Sequence, residues 1–191
     1  MRITIRKVER YSFLAFSIIV FLCLNAETRR RAKITVQRPA KVEHYLKKYK
    51  YLSIELSQNQ GVPVAITLAV AGLESNWGES QLAKDANNHF GIKVKPYWKG
   101  KKYCKQTLEY EDGKPMKVDD CFRRYSYIRE SYWDFGAFLT TQDHYKWMLD
   151  LSEDDLAGWA NGMQKGGYAT DPAYAQKLMR LIETYRLDEI E

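Results

Sequence analysis

At 191 residues, with 45% hydrophobic and 28% charged side chains, the chain is long enough for one buried domain plus a short leader and too short for two. Those proportions exclude a largely disordered chain. Of the net charge of +6, half comes from residues 1–26, which hold four basic groups and one acidic group. The remainder has no concentrated basic patch of the kind nucleic-acid binders need, only a mild bias compatible with an anionic polymer.

The first ten residues are basic, and Tyr11 to Ala26 carry no charge, with an apolar run from Phe13 to Leu22. This is the pattern of an export signal, ending on the small residue Ala26. The 16 uncharged residues fall short of the ~20 that span a bilayer. Leu24 fits a cleavage site poorly, so residues 11–26 read either as a cleaved signal or as an N-terminal membrane tether. Residues 27–40, basic and ending near Pro39, read as a linker, and residues 41–191 as the working domain.

From Lys41 to Gln60, apolar residues Val42, Tyr45, Leu46, Tyr49, Leu52 and Leu56 recur every three or four positions, which predicts an amphipathic helix ended by Gly61. Pro63 opens a second helix whose run from Val64 to Leu73 is almost wholly apolar, so it should be buried on most sides. Glu74 falls at its C-terminal end, followed by the polar-aromatic turn Ser75-Asn76-Trp77-Gly78. Burial and the negative end of the helix dipole both raise a carboxyl pKa, which is what a general acid needs near neutral pH.

From Ala86 to Tyr127 the helical period is lost. Thr107–Tyr110 and Phe122–Tyr125 read as strand pieces, and Trp98-Lys99-Gly100, Asp112-Gly113-Lys114-Pro115 and Asp119-Asp120 as turns. Cys104 and Cys121 flank this hairpin-like stretch. In an exported chain the pair predicts a disulfide that contributes about 3 kcal/mol. Neither these cysteines nor His89 has partners at metal-ligand spacing, so no metal or other cofactor is expected. Helices then return. Ser131 with Asp134, Ser152 with Asp155, and Asp171-Pro172 read as helix starts. The order of helices, a small β insertion and helices again predicts an α+β class with helix dominant.

The string Leu73-Glu74-Ser75-Asn76-Trp77-Gly78-Glu79-Ser80 resembles the catalytic-helix motif of glucosaminidase-type peptidoglycan hydrolases, glycoside hydrolase family 73. Ala86-Asn87-Asn88-His89-Phe90-Gly91-Ile92-Lys93 resembles the second signature of that family. Phe122-Arg123-Arg124-Tyr125 with Glu130-Ser131 resembles a third, and Gly167-Tyr168-Ala169-Thr170-Asp171-Pro172-Ala173-Tyr174-Ala175 a fourth. The four occur in the family's order across roughly residues 45–187.

The resemblance implies a lysozyme-like fold, with a β-hairpin lobe flanking a substrate groove. It also implies hydrolysis of the β-1,4 bond after N-acetylglucosamine in peptidoglycan. Glu74 matches the catalytic acid and Tyr168 a tyrosine bordering the active centre. Glu109, with Glu111 and Asp112 as near rivals, matches the segment that carries a second carboxylate. Trp77, Asn88, Phe90 and Tyr125 would line the groove. The implied partner is the glycan strand, met by a monomer in the cell envelope. Two other readings stand beside this one: a muramidase or lytic transglycosylase of the same fold, and a wall-binding domain without catalysis.

Overall fold

The computed structural model describes residues 36–111 and 114–190, with the backbone alone described for 107–111 and 114–118. The leader expected at 1–26, and with it the tether at 11–26, lies outside the described residues. Among the described residues no helix is long and apolar enough to cross a membrane.

Helix α1 spans Ala40–Gln60 and turns Val42, Tyr45, Leu46, Leu52 and Leu56 inward, as the spacing predicts. The Gly61 N–H then closes on the Ser57 carbonyl at 2.8 Å. Helix α2, Val64–Ser75, is the axis of the fold. Ile66, Leu68, Ala69, Val70 and Ala71 are fully buried, so an apolar run that would be insoluble alone is enclosed by its neighbours.

A six-residue helix, α3 (Gln81–Ala86), follows in a stretch that reads as merely polar in sequence. Ser80 caps it, its Oγ accepting from Ala83 N at 3.2 Å. Such a helix is too short to show a period, so only the cap marks it.

Strands β1 (Lys101–Glu111) and β2 (Lys114–Arg124) form an antiparallel hairpin longer than the strand pieces expected. Asp119 and Asp120, expected to turn, instead lie mid-strand opposite Gln106 and Lys105. Lys93 bonds Asp120 at 2.8 Å, which offsets one of the adjacent charges. Cys104 and Cys121 are opposite each other in the ladder and joined by a disulfide.

Helix α4, Ile128–Thr141, begins three residues before the start expected at Ser131, whose hydroxyl bonds back to the Ile128 carbonyl. A short helix α5 (Asp143–Lys146) runs into the 3-10 turn Trp147–Asp150. Helix α6, Leu156–Lys165, is capped by Asp155, which accepts from Gly158 N at 2.9 Å; Ser152 is not the cap. Helix α7 spans Tyr174–Tyr185, two residues later than the Asp171-Pro172 start, because Asp171 Oδ1 accepts from Ala173 N and folds a turn first. The 3-10 turn Leu187–Glu189 follows. Helix α2 packs against α1, α6 and α7. One continuous apolar core therefore lies in the helical body, and among the described residues a small separate cluster, Leu82, Ala86 and Phe122, underlies the hairpin.

Candidate active site

Helix α2 does not simply stop at Glu74. Asn76 and Trp77 both adopt left-handed backbone conformations, with φ of 50° and 57°. Two consecutive non-glycine residues there are costly and persist only where surrounding contacts impose them. Here the Trp77 N–H bonds the Gly72 carbonyl at 2.9 Å, and Lys41 Nζ bonds Asn76 Oδ1 at 2.7 Å. The indole packs edge-on against Tyr45 and Tyr185, with centroids 5.7 and 5.3 Å apart. It also lies so close over Gly72 that a Cβ there would come within 2.8 Å of the ring. Trp77 is thus a buried clamp on the turn after Glu74, and it does not line the cleft.

The Glu74 carboxyl has one oxygen held and the other open. Tyr174, on α7, donates its hydroxyl to Oε1 at 2.9 Å. Oε2 looks toward Gly91, where an added Cβ would come to 3.3 Å from it. Gly91 also has φ of 66°, so a side chain at this position would both strain the backbone and crowd the acid. Burial pushes the Glu74 carboxyl above its ordinary pKa, and the Tyr174 bond opposes that push.

The loop carrying Gly91 is organised by Asn88. Its Nδ2 donates to the Ile92 and Arg123 carbonyls at 3.1 and 2.9 Å, and its Oδ1 accepts from the N–H groups of Phe90 and Ile92. Asn88 is buried and shapes the cleft without lining it. Residues 92–94 pair with β2 through Arg123 N to Ile92 O and Val94 N to Cys121 O, which ties the cleft floor to the hairpin. Phe90 stacks on Phe135 at 4.2 Å, and its carbonyl accepts the Tyr168 hydroxyl at 2.8 Å. Tyr168 therefore bridges the two sides of the cleft, and burial pushes the pKa of its phenol well up.

Tyr125 lies inside the wall: its hydroxyl donates to Asp134 Oδ2 at 2.5 Å, and Arg123 grips both oxygens of Asp134 at 2.6 and 2.7 Å. Glu109 sits on β1 opposite Met116, and Glu111 opposite Lys114. The side chains of both lie outside the described residues.

Two adjoining hollows, about 280 and 420 Å³, share Glu74, Gly91, Lys93, Tyr168 and Thr170, and together make a groove across the acid. A larger hollow of about 550 Å³, beside Pro63, Glu153 and Asp188, contains no buried acid. Of the residues expected from sequence, the structure brings Glu74, Tyr168 and Phe90 to the groove and leaves Trp77, Asn88 and Tyr125 behind it as supports. Sequence reasoning missed Tyr174 as the partner of Glu74, because the two are 100 residues apart and no local pattern joins them.

A central buried helix ending in a carboxyl, beside a groove between a helical body and a β-hairpin, defines a lysozyme-like α+β protein. The chain belongs to the glucosaminidase family, described as mannosyl-glycoprotein endo-beta-N-acetylglucosaminidase, whose profile matches residues 50–187.

It is 38% identical over 131 residues to the peptidoglycan hydrolase FlgJ of Escherichia coli strain K12, covering 66% of this chain and 41% of that protein. It is 39% identical over 130 residues to the exo-glucosaminidase LytG of Bacillus subtilis, covering 66% and 45%. The chain spans less than half the length of these relatives. Among solved structures, the catalytic domain of the autolysin Auto from Listeria monocytogenes superposes with a TM-score of 0.70 at 28% identity, covering 88% of this chain and 97% of that one. A truncated glycoside hydrolase domain of Salmonella typhimurium FlgJ superposes with a TM-score of 0.61 at 34% identity, covering 76% and 97%.

Proposed function

We propose that this chain is an exported enzyme that hydrolyses the β-1,4 glycosidic bond after N-acetylglucosamine in bacterial peptidoglycan, with Glu74 as the general acid. The observation that carries the proposal is the state of that one carboxyl. Burial raises its pKa, Tyr174 anchors it through Oε1, and its Oε2 faces Gly91 on the lining of the groove. An acid in that state protonates the leaving oxygen as the bond to the anomeric carbon breaks.

A second carboxylate would then steady the developing cation or activate water, and Glu109 on β1 is our candidate, ahead of Glu111. The N-acetyl group of the sugar offers a third way to meet the same need. Tyr168 closes one side of the groove and holds the Phe90 carbonyl in place, which keeps the Gly91 gap in register with the acid. The relatives named peptidoglycan hydrolase and exo-glucosaminidase support wall glycan as the substrate. The signal-like leader and the disulfide support a location outside the cytoplasm.

The test is mass spectrometry of the products released from purified sacculi. New reducing ends at N-acetylglucosamine are expected. Reducing ends at N-acetylmuramic acid, anhydro-muramic products, or wall binding with no release of reducing sugar would each overturn the assignment.

A further inference from the structure

The two walls of the groove are not chemically alike. On the side of α7 the lining is uncharged: Tyr168, Ala169 and Thr170. On the hairpin side stand three ammonium groups, Lys93 in both hollows, Lys95 in one and Lys105 in the other. Among the described lining residues the only acid is Glu74, and its burial favours the neutral form. The hairpin side is also built to hold its charges. Lys105 lies on the ladder rung next to the Cys104–Cys121 disulfide and sits 5.3 Å from the Phe122 ring centroid. Lys93 lies 6.0 Å from the same ring and is bonded to Asp120. Phe122 thus gives two ammonium groups an apolar and quadrupolar seat beside the groove.

A neutral N-acetylglucosamine polymer offers such a wall hydroxyl and amide oxygens but no countercharge. In wall glycan every second sugar carries a lactyl ether, which ends in a carboxylate or continues as a stem peptide bearing carboxylates. We infer that Lys95 and Lys105, with Lys93 between them in the groove, form a carboxylate-binding subsite that selects muramyl-containing strands over neutral ones. This rests on the proposed activity for its substrate, but it concerns binding and is tested apart from turnover.

The test uses the full chain carrying Glu74→Gln, so that no probe is consumed, and measures Kd by calorimetry for three probes. These are a chitooligosaccharide, a glycan strand stripped of peptide by an amidase, and a strand bearing its stem peptides. At low salt a carboxylate-bearing strand is expected to bind about tenfold more tightly than the neutral oligomer. Adding Lys95→Gln with Lys105→Gln should reduce that gap to less than about threefold, and 0.5 M salt should compress it in the parent protein. A gap already present with the stripped strand assigns the lysines to the lactyl group. A gap that appears only with the stem-bearing strand assigns them to the peptide.

Equal affinity for all three probes overturns the inference, and so does a gap that survives both the double substitution and the salt. Failure of the wild-type chain to release reducing sugar from sacculi would count against the proposed activity alone, since the binding comparison does not depend on it.

Discussion

The helical body and the hairpin hold their parts of the groove by different means. Around α2 the body encloses side chains such as Ile66, Leu68, Val70, Phe135 and Trp159 in one continuous core. That burial sets the position of Glu74 and also raises the pKa of its carboxyl. Among the described residues the hairpin packs through a small cluster of Leu82, Ala86 and Phe122, with Tyr103 against them, and an isolated two-stranded ribbon is marginal in water. Its register is fixed instead by a covalent bond between opposed rungs and by the pairing of residues 92–94 with β2. The Glu74 carboxyl is shielded from water by the core, whereas the Lys105 ammonium stays exposed on the fixed frame of the hairpin.

The sharpest way to break this comparison is to remove the chemistry while keeping the core. Glu74→Gln should lower turnover of sacculi by about a thousandfold or more, with an unchanged circular dichroism spectrum. Retained activity would mean that the body's burial of Glu74 serves only packing. Next, Leu68→Ala opens a hole beside the axis helix and should cost roughly 2–5 kcal/mol of global stability in denaturant unfolding. The cooperative transition as a whole should move, because the core is continuous.

Replacing both cysteines by serine should cost about 3 kcal/mol, but locally. Hydrogen exchange across 101–124 is expected to accelerate by about a hundredfold while α2 keeps its protection. An equal loss in both regions would erase the distinction between them.

A buried histidine supplies a pH test confined to the body. His89 Nδ1 lies 2.7 Å from the Tyr45 hydroxyl, which in turn lies 2.8 Å from that of Tyr132. Burial, together with the Lys48 charge, pushes His89 down to about 4 from the ordinary 6.5. The unfolded chain therefore takes up this proton more readily than the folded one. The stability that neutral His89 contributes is complete above pH 6.5 and declines as the pH falls toward 4, by up to about 3 kcal/mol. His89→Gln should flatten that part of the stability profile, as read by thermal unfolding between pH 4 and 7.

The smallest expected effect concerns Tyr174. Tyr174→Phe keeps the ring and removes the donor to Glu74 Oε1. Turnover should fall about tenfold, the worth of one hydrogen bond of about 1.4 kcal/mol. Because that bond favours the charged carboxylate, its loss raises the pKa of Glu74, so the alkaline limb of the pH–rate profile should move upward. A fall in rate with an unmoved limb would make Tyr174 a packing residue only.

Much of the body is legible in one dimension. The three-four spacing in α1, the apolar run of α2, and a glutamate where that run ends are local patterns, and they place the acid correctly at the end of a buried helix. The hairpin is less so. Asp119-Asp120 reads as a turn because residue type alone does not reveal that Lys93 offsets Asp120 from another segment. The capping patterns at Ser131 and Ser152 mislead for a similar reason: neighbouring residues, Tyr127 and Asp155, make the actual boundaries. Trp77 and Asn88 sit in the motif around the groove, yet their side chains turn inward, one onto Gly72 and the other into the loop's own backbone.

Helix–hairpin–helix order, the pairing of Cys104 with Cys121 and the position of Glu74 can all be read along the chain, since each rests on periodicity or on residue chemistry within a short window. Folding in three dimensions brings Tyr174 to one oxygen of that carboxyl, sets the other facing Gly91, and gathers three lysines along one wall of the groove. The first two are meetings between residues 100 and 17 apart in the chain, created by burial of a common core, and the third joins a loop to a strand; no local pattern encodes them.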